Sequence, residues 1–162
     1  MKRVLVPIIL FIFVLSACVK KASESPIPTL EYYNFVAWKV RVKTDTAVMV
    51  LKYEDGNGDI FLANNTQGPN VIGTFYYKNS ATGKFTAIKD QITNDTARIT
   101  QTIIQPKDAS YKGKSIRGEI YLPMSPFRSG DSVKVFKYTF FVIDEAGNKS
   151  NIVTTPELTV SF

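Results

Sequence analysis

Hydrophobic and polar residues alternate with a period of two along much of the chain beyond residue 30. Across 116–122, Ile116, Gly118, Ile120 and Leu122 fall on one face, and Arg117, Glu119 and Tyr121 on the other. Val40 and Val42 alternate with Lys39, Arg41 and Lys43 in the same way. Ala47-Val48-Met49-Val50-Leu51 is apolar throughout, which suits a strand buried on both faces. Strands are predicted at 35–43, 46–53, 71–78, 84–88, 97–105, 116–122, 132–143 and 151–162, with a short one at 60–63. Each is rich in β-branched or aromatic residues and bounded by Gly, Pro, Asn or Asp. Phe85, Ile88 and Ile92 have helical spacing and predict one short helix. Many short strands between frequent turn signals predict an all-β domain, an antiparallel sandwich of about 7–9 strands. A closed barrel is the competing all-β arrangement.

The N-terminus follows a different pattern. Lys2 and Arg3 precede an apolar run over 4–15. Crossing a bilayer core takes ~20 apolar residues, so this run is too short to span and suits a cleavable export signal. Leu15-Ser16-Ala17-Cys18 closes it and resembles the box of bacterial lipoproteins. The resemblance implies cleavage between Ala17 and Cys18, diacylation of the Cys18 thiol and acylation of the new amino group. Several acyl chains anchor stably where one binds only marginally. The alternative is an ordinary secretory signal with a Cys beside its cleavage site. Residues 18–30 read CVKKASESPIPTL and predict a flexible tether of roughly 20 Å, leaving 31–162 as the folded head. Val19, where an Asp would mark inner-membrane retention in other lipoproteins, implies the outer membrane and leaves the facing open.

Composition narrows the chemistry. The chain has no His, which excludes Ser-His and Cys-His couples and most zinc sites. Its one Cys excludes an internal disulfide and thiolate clusters. Cleavage after Ala17 removes Lys2 and Arg3 and lowers the net charge from +6 to +4. Lys39, Arg41 and Lys43 form one basic stripe, and Lys107, Lys112, Lys114 and Arg117 a second cluster. These read as solvated strand and loop charges, or as contacts for a polyanion or glycan. Nucleic acid is not an expected partner outside the cytoplasm; the expected ones are the membrane, through the lipid, and an envelope protein or glycan. Tyr32-Tyr33 and Tyr76-Tyr77 read as half core and half surface.

Asp55-Gly56-Asn57-Gly58-Asp59 follows a predicted strand. Oxygens at Asp55, Asn57 and Asp59 have the spacing that opens a calcium loop, where they converge on one hard cation. The sixth and twelfth positions are Ile60 and Thr66, where such a loop takes Gly and Glu. The other reading is a turn whose side chains cap backbone amides. The loop from Asp144 to Ser150, DEAGNKS, joins the last two predicted strands as a hairpin. Gly147 supplies a positive φ there, and Asp144 and Asn148 bond turn amides. This loop resembles the last turn of many bacterial immunoglobulin-like domains. With the lipoprotein box and the Asp55–Asp59 loop, the chain resembles small Bacteroidota-type envelope lipoproteins, which implies an immunoglobulin-like sandwich.

Asp45-Thr46-Ala47, Asp95-Thr96-Ala97 and Asp131-Ser132-Val133 resemble the O-glycosylation acceptor of Bacteroidota-type secreted proteins, implying modification at Thr46, Thr96 and Ser132. A turn running into a strand reads the same way. The expected function is a lipid-anchored, non-catalytic envelope protein whose sandwich serves binding or assembly. A hydrolase would need two close carboxylates, one with a raised pKa. A glycan-binding module would show a row of exposed aromatics.

Overall fold

A computed structural model of the chain describes residues 25–40, 44–107, 109–124 and 135–159. The fold is an immunoglobulin-like β-sandwich of two antiparallel sheets. One sheet has the order β1-β2-β6, with β1 Thr29–Val40, β2 Thr44–Asp55 and β6 Ile116–Pro123. The other is built on β3 Val71–Lys78 and β7 Val135–Val142. On one side β3 pairs with β4 Phe85–Ala87 and β5 Arg98–Gln101; on the other β7 pairs with β8 Val153–Thr154 and β9 Leu158–Thr159.

Sequence pattern explains most of this. β2 is the central strand of its sheet, and Ala47, Met49 and Leu51 are fully buried while Val50 is nearly so. In β6, Ile120 and Leu122 turn inward and Arg117, Glu119 and Tyr121 outward, as the alternation requires. The facing layer is an aromatic ladder on β7. Phe136, Tyr138 and Phe140 are all buried, with neighbouring ring centroids 5.7 and 5.8 Å apart. Burial pushes the Tyr138 phenol far above its ordinary ionisation range. Gly73 lies opposite Phe140, and a Cβ there would stand 2.4 Å from the ring.

Several predicted elements differ. β1 starts at Thr29, inside the stretch predicted as tether, because 25–30 is held by the head. Gly56 N donates to Ser25 O, and Pro28 is fully buried. The Asn151 side chain clasps Leu30 from both sides: Leu30 N donates to Oδ1 at 2.8 Å and Nδ2 donates to Leu30 O at 2.9 Å. β1 also carries a bulge between Tyr32 and Asn34. The extra residue switches the inward positions from Leu30 and Tyr32 to Phe35 and Ala37 and leaves Tyr33 outside.

The short helix predicted from Phe85, Ile88 and Ile92 is absent. Phe85 begins β4, and Ile92 is 94% exposed. Asp90 Oδ1 instead accepts from the amides of Ile92 and Thr93, closing a turn. The strand predicted at 60–63 is reduced to one bridge between Leu62 and Ile104. The predicted last strand splits into β8 and β9 at Thr155-Pro156. Thr155 Oγ1 accepts from Tyr138 N, and Pro156 has no amide to continue the ladder. The predicted hairpin between β7 and β8 is present, with Gly147 at φ +89°. Asp144 Oδ1 accepts from the turn amide of Asn148, as expected, whereas the Asn148 side chain donates to Asp144 Oδ2 and not to an amide group.

Candidate functional site

The two motif loops meet at one end of the sandwich. The Asp55–Asp59 loop leaves β2 and leads toward β3, and the Asp144–Asn148 turn joins β7 to β8. Glu145 N donates to Asp59 O at 2.9 Å, which ties one loop to the other. Asp55 is the corner of the first loop. Its Oδ2 accepts from Ile60 N at 2.8 Å and its Oδ1 from Asn57 N at 3.3 Å, so the chain curls around the carboxylate. Gly58 is at φ +72°, where a side chain is strained, and a Cβ would fall 2.0 Å from Tyr111 O. Gly113 N donates to Asn57 O and brings the 111–114 turn over the loop.

Three carboxylates are buried here: Asp55 at 2%, Asp59 at 7% and Asp144 at 3% exposure. Asp55 and Asp144 accept hydrogen bonds from their own loops. Asp59 Oδ1 and Asn57 Oδ1 are buried with no hydrogen-bond partner. Burial pushes the Asp59 carboxyl above the ordinary range, and the charges of Asp144 and then Asp55 push the same way. Its contacts with the Asn57 side chain and its own amide pull back only in part. The ion pair nearest this end joins Lys112 to Glu145 at 3.2 Å and involves none of the three Asp. Among the described residues no three His, Cys, Asp or Glu side chains are grouped so that they could hold a metal ion by themselves. Any cation would rest on amide oxygen as well as carboxylate.

Asn70 wires this end to the rest of the fold and escaped the sequence reading. It is buried, its Nδ2 donates to Ile60 O at 2.9 Å, and its Oδ1 accepts from Ile103 N at 2.9 Å. An Asn after Pro69 looks like any loop residue, so sequence carries no signal for it.

A second surface lies on the outer face of the β1-β2-β6 sheet. Tyr33, Val36, Trp38 and Tyr121 are 52, 45, 43 and 64% exposed there. The register sets Tyr121 beside Val50 and Asn34, Pro123 beside Val48 and Val36, and Trp38 beside Thr46, so the apolar row runs along the strands. Lys52 Nζ sits 4.0 Å from the Tyr33 ring centre, and Tyr121 OH donates to Glu119 at 2.6 Å. Beside the row, a groove of about 400 Å³ is lined by Glu31, Lys52, Glu54, Arg117 and Glu119 among others.

Protein-family profiles, curated proteins and solved structures give no match to this chain. Architecture and site geometry therefore carry the reading.

The other sequence-selected residues are placed as follows. Ala17, Cys18, Arg41, Lys43 and Ser132 lie outside the described residues, as does the Lys39 side chain. Thr46 is the third residue of β2, and Asp45 pairs with Lys39 in the ladder, so that acceptor lies at the start of the strand. Thr96 is half-buried and bridges Lys89. In the second basic cluster Lys112 pairs with Glu145, Lys114 donates to Ser110 O, and Arg117 lies opposite Glu54.

Proposed function

We propose that this chain is a lipid-anchored, non-catalytic protein of the bacterial cell envelope, held at the outer membrane, whose sandwich head serves binding or assembly. One observation carries the reading: the sole Cys of the chain ends a signal-length apolar run as Leu15-Ser16-Ala17-Cys18. The exposed row on the β1-β2-β6 sheet supports a binding role, because apolar side chains left in water on one face mark contact sites. The burial of Asp55, Asp59 and Asp144 weighs against the hydrolase alternative, since acids at 2–7% exposure do not meet a substrate. Growth on an alkyne-tagged fatty acid tests the anchor. The wild-type chain is expected to carry the tag in the membrane fraction, and Cys18→Ser to lose it. An untagged wild-type chain overturns the proposal.

The row also favours a second reading, a glycan-binding module, because Tyr33, Trp38 and Tyr121 offer ring faces to sugars. Trp38 is the only Trp of the chain, so its fluorescence reports contact directly. Envelope polysaccharide is expected to shift that emission, and Tyr33→Ala with Tyr121→Ala to abolish retention on it. Unchanged emission and unchanged retention remove the reading.

A further inference from the structure

We propose that the end of the sandwich where the two loops meet is a calcium site, in which Asn57 and Asp59 of one loop and Asp144 of the other share one ion, with Asp55 behind them. Two orphan oxygens point to it. Asp59 Oδ1 and Asn57 Oδ1 are shut off from water and have no donor, although buried acceptors in folded proteins are nearly always satisfied. Asp59 as a residue is 7% exposed. The charge balance points the same way. Asp55, Asp59 and Asp144 are all buried, and the bond from Glu145 N to Asp59 O draws their two loops together. Neither of the ion pairs between described residues includes any of them. Buried like charges of this kind are tolerated when protonated, paired or bound to a metal.

The donor chemistry selects the metal. Carboxylate and amide oxygens with no His or thiolate suit a hard cation. A loop with mixed, flexible oxygen donors suits calcium, whereas magnesium demands a tight octahedron. Asp55 and Asp144 keep their amide bonds and still have lone pairs to offer, since each carboxylate has about four acceptor sites. The twelfth position of the loop is Thr66, so no bidentate Glu completes the shell. That places affinity with the weak extracellular modules, at about 10⁻⁴–10⁻³ M. The ion does structural work: it ties the β2–β3 connection to the β7–β8 turn, adding to the bonds from Glu145 N to Asp59 O and from Ile143 N to Asn70 O.

The full chain in detergent micelles tests this site independently of the anchor. Calcium at about ten times its dissociation constant is expected to raise the folding constant about eleven-fold over EDTA. That corresponds to a rise in Tm of roughly 4–7 °C. Magnesium at the same concentration is expected to give less than half of it. Terbium is expected to emit through Tyr53, which lies beside Asp55 and Tyr111, and calcium to displace it. Asp59→Asn removes a buried charge, so in EDTA it is expected to be at least as stable as wild type, yet to lose the calcium shift. Asp144→Asn is expected to lose it as well; should that variant not fold, the terbium competition on wild type still decides. Absent calcium stabilisation, an equal shift with magnesium, or a shift undiminished in Asp59→Asn each overturns the assignment.

Discussion

Gly58→Ala isolates what the tight end of the sandwich contributes, provided that it is read against Gly83→Ala. Both glycines have left-handed φ, +72° and +67°. Any L residue there costs about 1–2 kcal/mol. The two differ in space. A Cβ at Gly83 meets nothing within 4 Å, whereas at Gly58 it falls 2.0 Å from Tyr111 O and 2.6 Å from Lys114 O. Those are backbone atoms, so the whole 111–114 turn must move. Overpacking of this sort costs about 1–3 kcal/mol. Displacing the turn also strains the bond from Gly113 N to Asn57 O, worth about 1 kcal/mol. Gly58→Ala is therefore expected to destabilise by roughly 2–4 kcal/mol more than Gly83→Ala. For a domain of this size that is a further drop in Tm of roughly 6–16 °C. Urea titration followed by circular dichroism, with thermal melts alongside, measures both variants. Equal stabilities would show that the 111–114 turn does not brace the loop, and the reasoning about this end would fail.

Asn70→Ala strands the Ile60 carbonyl and the Ile103 amide and is expected to cost about 2–6 kcal/mol by urea titration, from ~1–3 for each unsatisfied group. In calcium-free buffer, Asp59 holds its proton more tightly folded than unfolded. Its contribution is thus full below the ordinary Asp range and lost as pH rises through the raised folded value, so Asp59→Asn is expected to flatten that decline. A pH series of urea midpoints with parallel slopes for the two proteins would contradict this. Gly73→Ala drives a methyl into Phe140 and is expected to cost about 1–3 kcal/mol. Adding Phe140→Leu should recover part of that loss, and a double-mutant cycle gives the coupling.

Where one local rule governed a segment, the chain was easy to read. β3 at Val71–Lys78 has the predicted bounds, since β-branched and aromatic residues, interrupted by Gly73 and ended by Lys78, fill the stretch between Asn70 and Asn79. Gly147 has the positive φ that the last turn needed. The Asp55–Asp59 motif was visible as spacing, but its partner was not. Asp144 belongs to another turn, and only the closure of the sandwich brings the two together. The three-acid cluster therefore has no signature in the spacing of the 14 acids. The bulge at Tyr33 is equally silent in the sequence, because Tyr32 and Tyr33 are chemically alike and only pairing with β2 decides which one faces out. The apparent helix at Phe85–Ile92 shows the opposite failure. Its spacing was correct, and one Asp side chain captured the amides that a helix would have used.

The clasp of Asn151 on Leu30 has a mechanical consequence. Any pull arriving through residues 25–28 reaches the head at the start of β1, an edge strand with β2 as its only ladder partner among the described residues. Without the clasp, that force would peel β1 away one rung at a time. Asn151 follows the β7–β8 turn, so its two bonds hand part of the load to the opposite sheet before the first rung is stressed. Asn151→Ala strands the Leu30 amide and carbonyl, so it loosens this corner at rest and weakens it further under tension.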